Sequence, residues 1–186
     1  MVHGKDGIVF LPWPLSNIKY IKRENIDEDR WNGLISESVV SIAYGYTWYL
    51  DRMCSPWDAL ILGDYEAIMP LPHKKKYGLK YVYQPRFIQQ LGVFSKVQDT
   101  DLTKQFLAAI PTKFVLAEFF INAHFGLHKS AIPRRNMVLY LDQPYEVLFQ
   151  QFSKDAKKNL RKTEDVVFKK GEDISASIDL YKKVYG

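Results

Sequence analysis

WDALILGDYEAIMPLP, residues 57–72, holds two apolar runs either side of Gly63 and Asp64. Glycine and aspartate between two such runs are turn residues, so the segment predicts a β-hairpin. Pro70 and Pro72 are expected to end it, because proline donates no hydrogen bond to a strand ladder. After the basic turn HKKKYG come LKYVYQP and FIQQLGVFS, two further predicted strands with Pro85 at an edge or bend between them. Ile18 to Ile21, Lys113 to Ile121 and Met137 to Leu141 also read as strands.

Helical periods fill the intervals. Asp27 to Ser36 begins with Asp27, Glu28 and Asp29, acids that favour a helix N-terminus. Tyr46 to Met53 and Asp101 to Ile110 read as two more helices. A long helix is predicted from Tyr145 to Thr163, with Asp142 as N-cap and Pro144 as an early helical residue. Val166 to Lys169 then predicts a strand and Ile174 to Val184 a last helix. Interleaved helices with neighbouring hairpin strands imply an α+β fold, its sheet mixed but mostly antiparallel and flanked by helices. The expected division is residues 1–142 as one domain and 143–186 as the basic helix plus the first strand and helix of an incomplete second unit. One strand and one helix cannot bury a core of their own. Either these elements close the first domain's sheet, or the chain is the front part of a longer protein, a homodimer being one way to complete the unit.

Composition limits the partners. Apolar residues make up 47% and aromatics 15%, too much buriable surface for a disordered chain. The net charge is +5, from 26 basic and 21 acidic residues, and it is unevenly placed, which points to local anion sites. Cys54 is the only cysteine, so no intrachain disulfide forms and a reducing, cytoplasmic setting is expected. No secretory leader is readable at the start, and no run of about 18 apolar residues occurs, so no membrane span is expected.

FSKDAKKNLRKTEDVVFKK, residues 152–170, carries the clearest functional signal. Lys154, Lys157, Lys158, Arg161 and Lys162 recur at helical spacing and form one positive stripe, while Leu148, Phe152, Ala156 and Leu160 step along the opposite face. Such a stripe suits an anionic ligand; an ordinary solvated face is the equally weighted alternative. A second basic segment, HKKKYGLKYVYQPR, interleaves Lys74, Lys75, Lys76, Lys80 and Arg86 with Tyr77, Tyr81 and Tyr83. It reads first as a soluble hairpin tip and second as a surface for single-stranded nucleic acid. Trp48, Tyr49, Gln84, Arg86 and Gln90 lie at ends of predicted elements and form a candidate ligand pocket, with Trp48 and Tyr49 packing a helix against the sheet as the equal alternative. His124 and His128 are four apart in HFGLH, but Gly126 lies between them and no carboxylate accompanies them, so no metal site is expected. No GxSxG elbow, Walker loop or GxGxxG fingerprint occurs.

Taken together, residues 57–85 and the later YEVLFQQFSKDAKKNLRKTEDVVFKK resemble the FemAB-like branch of the GNAT acyltransferase superfamily, of the type found in Bacteroidetes. The matching helix pattern is Ser153, Lys157, Lys158, Asn159, Leu160, Arg161 and Lys162. The resemblance implies a GNAT-like fold and transfer of an acyl or aminoacyl group to an amine. Its donor would be acetyl-CoA, another acyl-CoA or an aminoacyl-tRNA, used as co-substrate with no permanently bound cofactor. Lys157, Lys158, Arg161 and Lys162 would contact donor phosphates, and Trp48, Tyr49, Gln84, Arg86 and Gln90 would line the acceptor pocket. Gln89 to Phe94 do not match the glycine-bearing pyrophosphate loop of the superfamily, and no catalytic residue is singled out. Two other readings stand beside it: a non-catalytic interaction module of the same fold, and an RNA- or tRNA-binding protein.

Overall fold

The computed structural model describes residues 17–118, 120–122, 124, 131–137, 139–163, 165–167 and 174–185. The chain divides into two units, Met1–Ile132 and Pro133–Gly186.

In the first unit, β1 (Ile18–Lys22), β2 (Trp57–Leu62), β3 (Ala67–Lys76), β4 (Leu79–Val82), β5 (Phe94–Ser95) and β6 (Phe114–Ala117) form one sheet. The strand order is β1-β2-β3-β4-β6, with β5 paired to β3. Among these strands all pairings are antiparallel except the parallel one between β4 and β6. Helices α1 (Glu28–Glu37), α2 (Thr47–Met53) and α3 (Leu102–Ala108) accompany the sheet, which places the unit in the α+β class with a mixed, mostly antiparallel sheet.

The predicted hairpin is the middle of this sheet. Gly63 takes φ +52° at its turn, a conformation that costs a residue with a Cβ. Every residue of β2 is buried except the half-buried Asp58, because both faces are covered. Trp57, Ala59 and Ile61 pack with Trp31, Leu34 and Ile35 of α1 and Leu50 of α2. Leu60 and Leu62 face the other way and pack with Met69, Leu71, Val82, and Leu102 and Phe106 of α3. Asp27, expected within the first turn of α1, stands just before it and caps it by accepting a hydrogen bond from the Arg30 N–H at 3.1 Å.

Pro70 and Pro72 do not end the hairpin: β3 runs on to Lys76. The His73 N–H bonds the Pro56 carbonyl at 3.2 Å, so by alternation residues 70 and 72 turn their nitrogens away from β2. On that side β5 pairs only as far as Ile68 and β4 starts at His73. The prolines occupy the gap, where no partner asks for an N–H. The predicted strand at 87–95 is also shorter than its sequence: Phe94–Ser95 is a strand, and Leu91 makes a single bridge to Ile121.

In the second unit the long predicted helix is two, α4 (Tyr145–Gln151) and α5 (Lys154–Arg161). Phe152 and Ser153 are extended, and the Ser153 hydroxyl caps α5 by accepting from the Ala156 N–H at 3.1 Å. A serine followed by Lys-Asp is an N-terminus signal strong enough to break a continuous apolar period. Leu148 and Phe152 therefore do not share a helix with Ala156 and Leu160. Helix α6 (Ser175–Tyr185) matches the predicted last helix. The described residues of 137–141 and Val166–Val167 are not strands, and the rest of the strand expected at 166–169 lies outside the described residues.

Candidate functional site

The even residues of β2 face α3, and Asp58 is the one polar member of that row. Its carboxylate is the centre of a network spanning three strands. Tyr20 of β1 donates its hydroxyl to Asp58 Oδ2, the Arg23 backbone N–H donates to Oδ1 at 3.1 Å, and His73 Nε2 lies 2.9 Å from Oδ2. Register explains the convergence. Lys22 and Leu71 stand directly opposite Asp58, so Tyr20 and His73 are its diagonal neighbours on one face. The His73 and Asp58 side chains are only 12% and 14% exposed. The histidine ring packs on Phe114 with centroids 5.5 Å apart.

Burial alone would push the Asp58 carboxyl up, yet the hydrogen bonds from Tyr20, Arg23 and His73, with the field of His73, hold it below the usual carboxylate range. Burial, and then Asp58 itself, raise the Tyr20 hydroxyl, so Tyr20 keeps its proton. In the neutral ring, a carboxylate at Nε2 selects the His73 tautomer protonated there, with the lone pair on Nδ1. The Lys113 amine lies 3.7 Å from the Tyr20 ring centroid and 5.2 Å from that of Phe114. Desolvation lowers its pKa, Asp58 opposes this, and Lys80 and Lys22 add to the lowering. A surface pocket of about 230 Å³ opens beside the network, lined in part by Lys22, Ser55, Pro56, Asp58 and His73.

A separate ion cluster stands next to it. Arg23 grips Asp51 with two bonds of 2.8 and 2.7 Å and reaches Glu28 at 2.5 Å, while the Trp57 indole N–H donates to Asp51 at 2.8 Å. The Arg23 bond is the main reason the Asp51 carboxyl is held low. This cluster ties the turn after β1 and the start of β2 to α1 and α2.

Both Asp51 and Asp58 are held below the value of about 3.9 expected unfolded. Each thus contributes stability that is present above about pH 4 and disappears as pH falls through the folded-state values. Urea midpoints are expected to stay level from about pH 7 to 5 and to drop below about pH 4, with a shallower drop in Asp58→Asn. An equal drop in that variant would remove Asp58 from the account.

The residues singled out from sequence fall elsewhere. Trp48 is 58% exposed and rests edge-on against Tyr49. The Tyr49 hydroxyl donates to the Phe87 carbonyl at 2.8 Å. Gln84 donates to the Ile88 carbonyl and accepts from the Phe120 N–H at 2.7 Å. Tyr49 and Gln84 thus brace the segment after β4, while Arg86 is exposed and Gln90 half-buried. In the second unit, Lys157 bonds the Gln150 carbonyl at 2.9 Å and lies over the Phe149 ring. Lys158, Arg161 and Lys162 are exposed, the last as the C-cap of α5. Lys154 and Asn159 are exposed with these cations, Lys157 is partly drawn to the end of α4, and α5 buries no residue against a core. His124 is exposed and His128 lies outside the described residues.

Sequence reasoning missed Asp58, Tyr20, His73 and Lys113. The available signal was Asp58 itself, a charge inside an otherwise apolar β2. Burying an acid there demands partners. Among the described residues no group of three His, Cys, Asp or Glu side chains is placed to hold a metal. No described helix is long and apolar enough to cross a membrane. Comparison with family models, with curated proteins and with solved structures returned no match.

Proposed function

We propose that the chain is an N-acyltransferase of the GNAT/FemAB kind, in which His73 is the general base and Asp58 and Tyr20 orient it. The observation that carries this is the 2.9 Å contact of His73 Nε2 with a carboxylate oxygen that also receives the Tyr20 hydroxyl. Amine acylation needs a deprotonated amine beside an activated acyl carbonyl. The amine nitrogen attacks the thioester carbon of an acyl-CoA, a C–N bond forms and the C–S bond breaks. His73 Nδ1 takes the proton that the nitrogen sheds and returns it to the departing thiolate. Asp58 stabilises the imidazolium between those two events, as a carboxylate partner does in hydrolytic triads.

The exposed Lys158, Arg161 and Lys162 of α5 support a polyphosphate-bearing donor, since lysine and arginine pair with phosphate oxygens. The test is acetyl-CoA titrated calorimetrically into the full chain, followed by thiol release on adding small amines. Saturable heat and amine-dependent thiol release are expected. A folded protein that gives neither at millimolar acetyl-CoA overturns the proposal.

A further inference from the structure

The pleat sorts the lysine run 74–76. Lys74 lies 4.4 Å from the Tyr83 ring centroid and Lys76 lies 5.3 Å from that of Tyr77. Lys75, between them, falls on the face that carries His73 and stands directly opposite Lys80 of β4. On the same face Lys22 stands opposite Asp58 and Phe114 stands opposite Lys80, and the Lys113 amine, just outside β6, lies over the rings of Tyr20 and Phe114. Lys22 and Lys80 are both close enough to depress the Lys113 ammonium.

Four lysines therefore ring the His73 end of the sheet face. Helix α3, at seven residues and so about 10 Å long, packs against this face through Leu102 and Phe106 in the row of Leu60, Leu62 and Met69. Among the described residues the carboxylates beside the lysines are Asp58, which already accepts three bonds, and Glu24, 3.3 Å from Lys22. Like charges directly opposite on neighbouring strands destabilise a sheet. An oxyanion between them reverses that cost.

We infer that this face is an oxyanion subsite, in which Lys22, Lys75, Lys80 and Lys113 bind the phosphate of a phosphate-bearing amine and so present its amino group to His73. Compact ammonium groups suit a doubly charged phosphate, whereas a lone carboxylate is better matched by an arginine fork. The amine part rests on the acyl-transfer reading; the phosphate part does not.

The test is a calorimetric titration of the full chain with 2-aminoethyl phosphate, ethanolamine, β-alanine and oligouridylate at low salt. 2-Aminoethyl phosphate is expected to bind and the other two amines to bind at least about tenfold more weakly. Lys75→Gln/Lys80→Gln is expected to weaken the phosphate ligand by about tenfold or more without lowering the melting temperature, since it removes an opposed like-charge pair. Lys113→Gln, which lies outside the strand pairing, is the second variant and is expected to act in the same direction. Lys19→Gln, on the other face of β1, is expected to leave binding unchanged. Equal affinity for ethanolamine, undiminished binding in both lysine variants, or binding of oligouridylate that 2-aminoethyl phosphate does not displace would overturn the subsite. Phosphate binding without thiol release from acetyl-CoA would remove the acyltransferase reading and keep the subsite. Acetyl transfer that ignores the phosphate would do the reverse.

Discussion

His73→Asn is expected to slow acetyl transfer from acetyl-CoA to 2-aminoethyl phosphate by about 10²- to 10⁴-fold, the span usual for removing a positioned general base. Asparagine keeps a group able to face Asp58 but has no nitrogen lone pair that takes a proton near neutral pH. The loss should therefore fall equally on kcat and kcat/KM, with KM for acetyl-CoA unchanged, because the missing interaction exists only as the amine sheds its proton. Circular dichroism should show a folded protein. A rate within about threefold of wild type would show that His73 does not act as base, well inside what base removal costs. A raised KM at constant kcat would instead make it a binding residue.

Trp31→Ala is expected to destabilise the chain by about 3–5 kcal/mol, read as a fall in the urea midpoint at unchanged slope. Trp31 is fully buried, its ring meets Trp57 at 5.2 Å between centroids, and its indole N–H donates to the Gly45 carbonyl at 2.8 Å. Truncation opens a cavity between α1 and β2 and leaves that carbonyl without its donor. The surroundings are poorly placed to collapse into the space. A Cβ on Gly45 would already sit 2.7 Å from Ile35 Cδ1 and 2.9 Å from Phe94, so the packing there is at its limit. A typical domain has about 5–15 kcal/mol in hand, which puts the variant near the edge of folding. Trp48→Ala is the contrast: at 58% exposure it should change stability by less than about 0.5 kcal/mol. A loss below about 1 kcal/mol for Trp31→Ala would contradict the packing described.

Much of the first unit was legible because its signals are local. The turn residues Gly63 and Asp64, the acids opening α1 and the apolar period of α3 each act within a few positions, and the elements form within a few residues of where they were read. The misreadings share a cause. Pro70 and Pro72 look like stops because a proline inside a strand lacks a donor, but whether a donor is needed depends on which strands lie alongside. The apolar period runs on through Ser153 and so implies one helix over 145–163, while the cap that divides it acts on a single residue. The stripe of α5 was visible, since helical spacing alone determines which cations share a face. The Asp58 network was not, because its members come from positions 20, 58 and 73 on three strands.

By itself, then, the sequence determined the α+β class, the central hairpin, the extent of α1 and α2, and the helical spacing of the cations on α5. All four follow from periodicity and turn chemistry between near neighbours. Tertiary structure alone decided that β3 continues through its prolines, that Asp58 takes both His73 and Tyr20 as partners, and that Lys75 and Lys80 face each other. Those outcomes depend on strand order and register, which bring residues 38 and 15 positions apart into hydrogen-bond contact. A one-residue change of register would turn every one of those side chains to the opposite face.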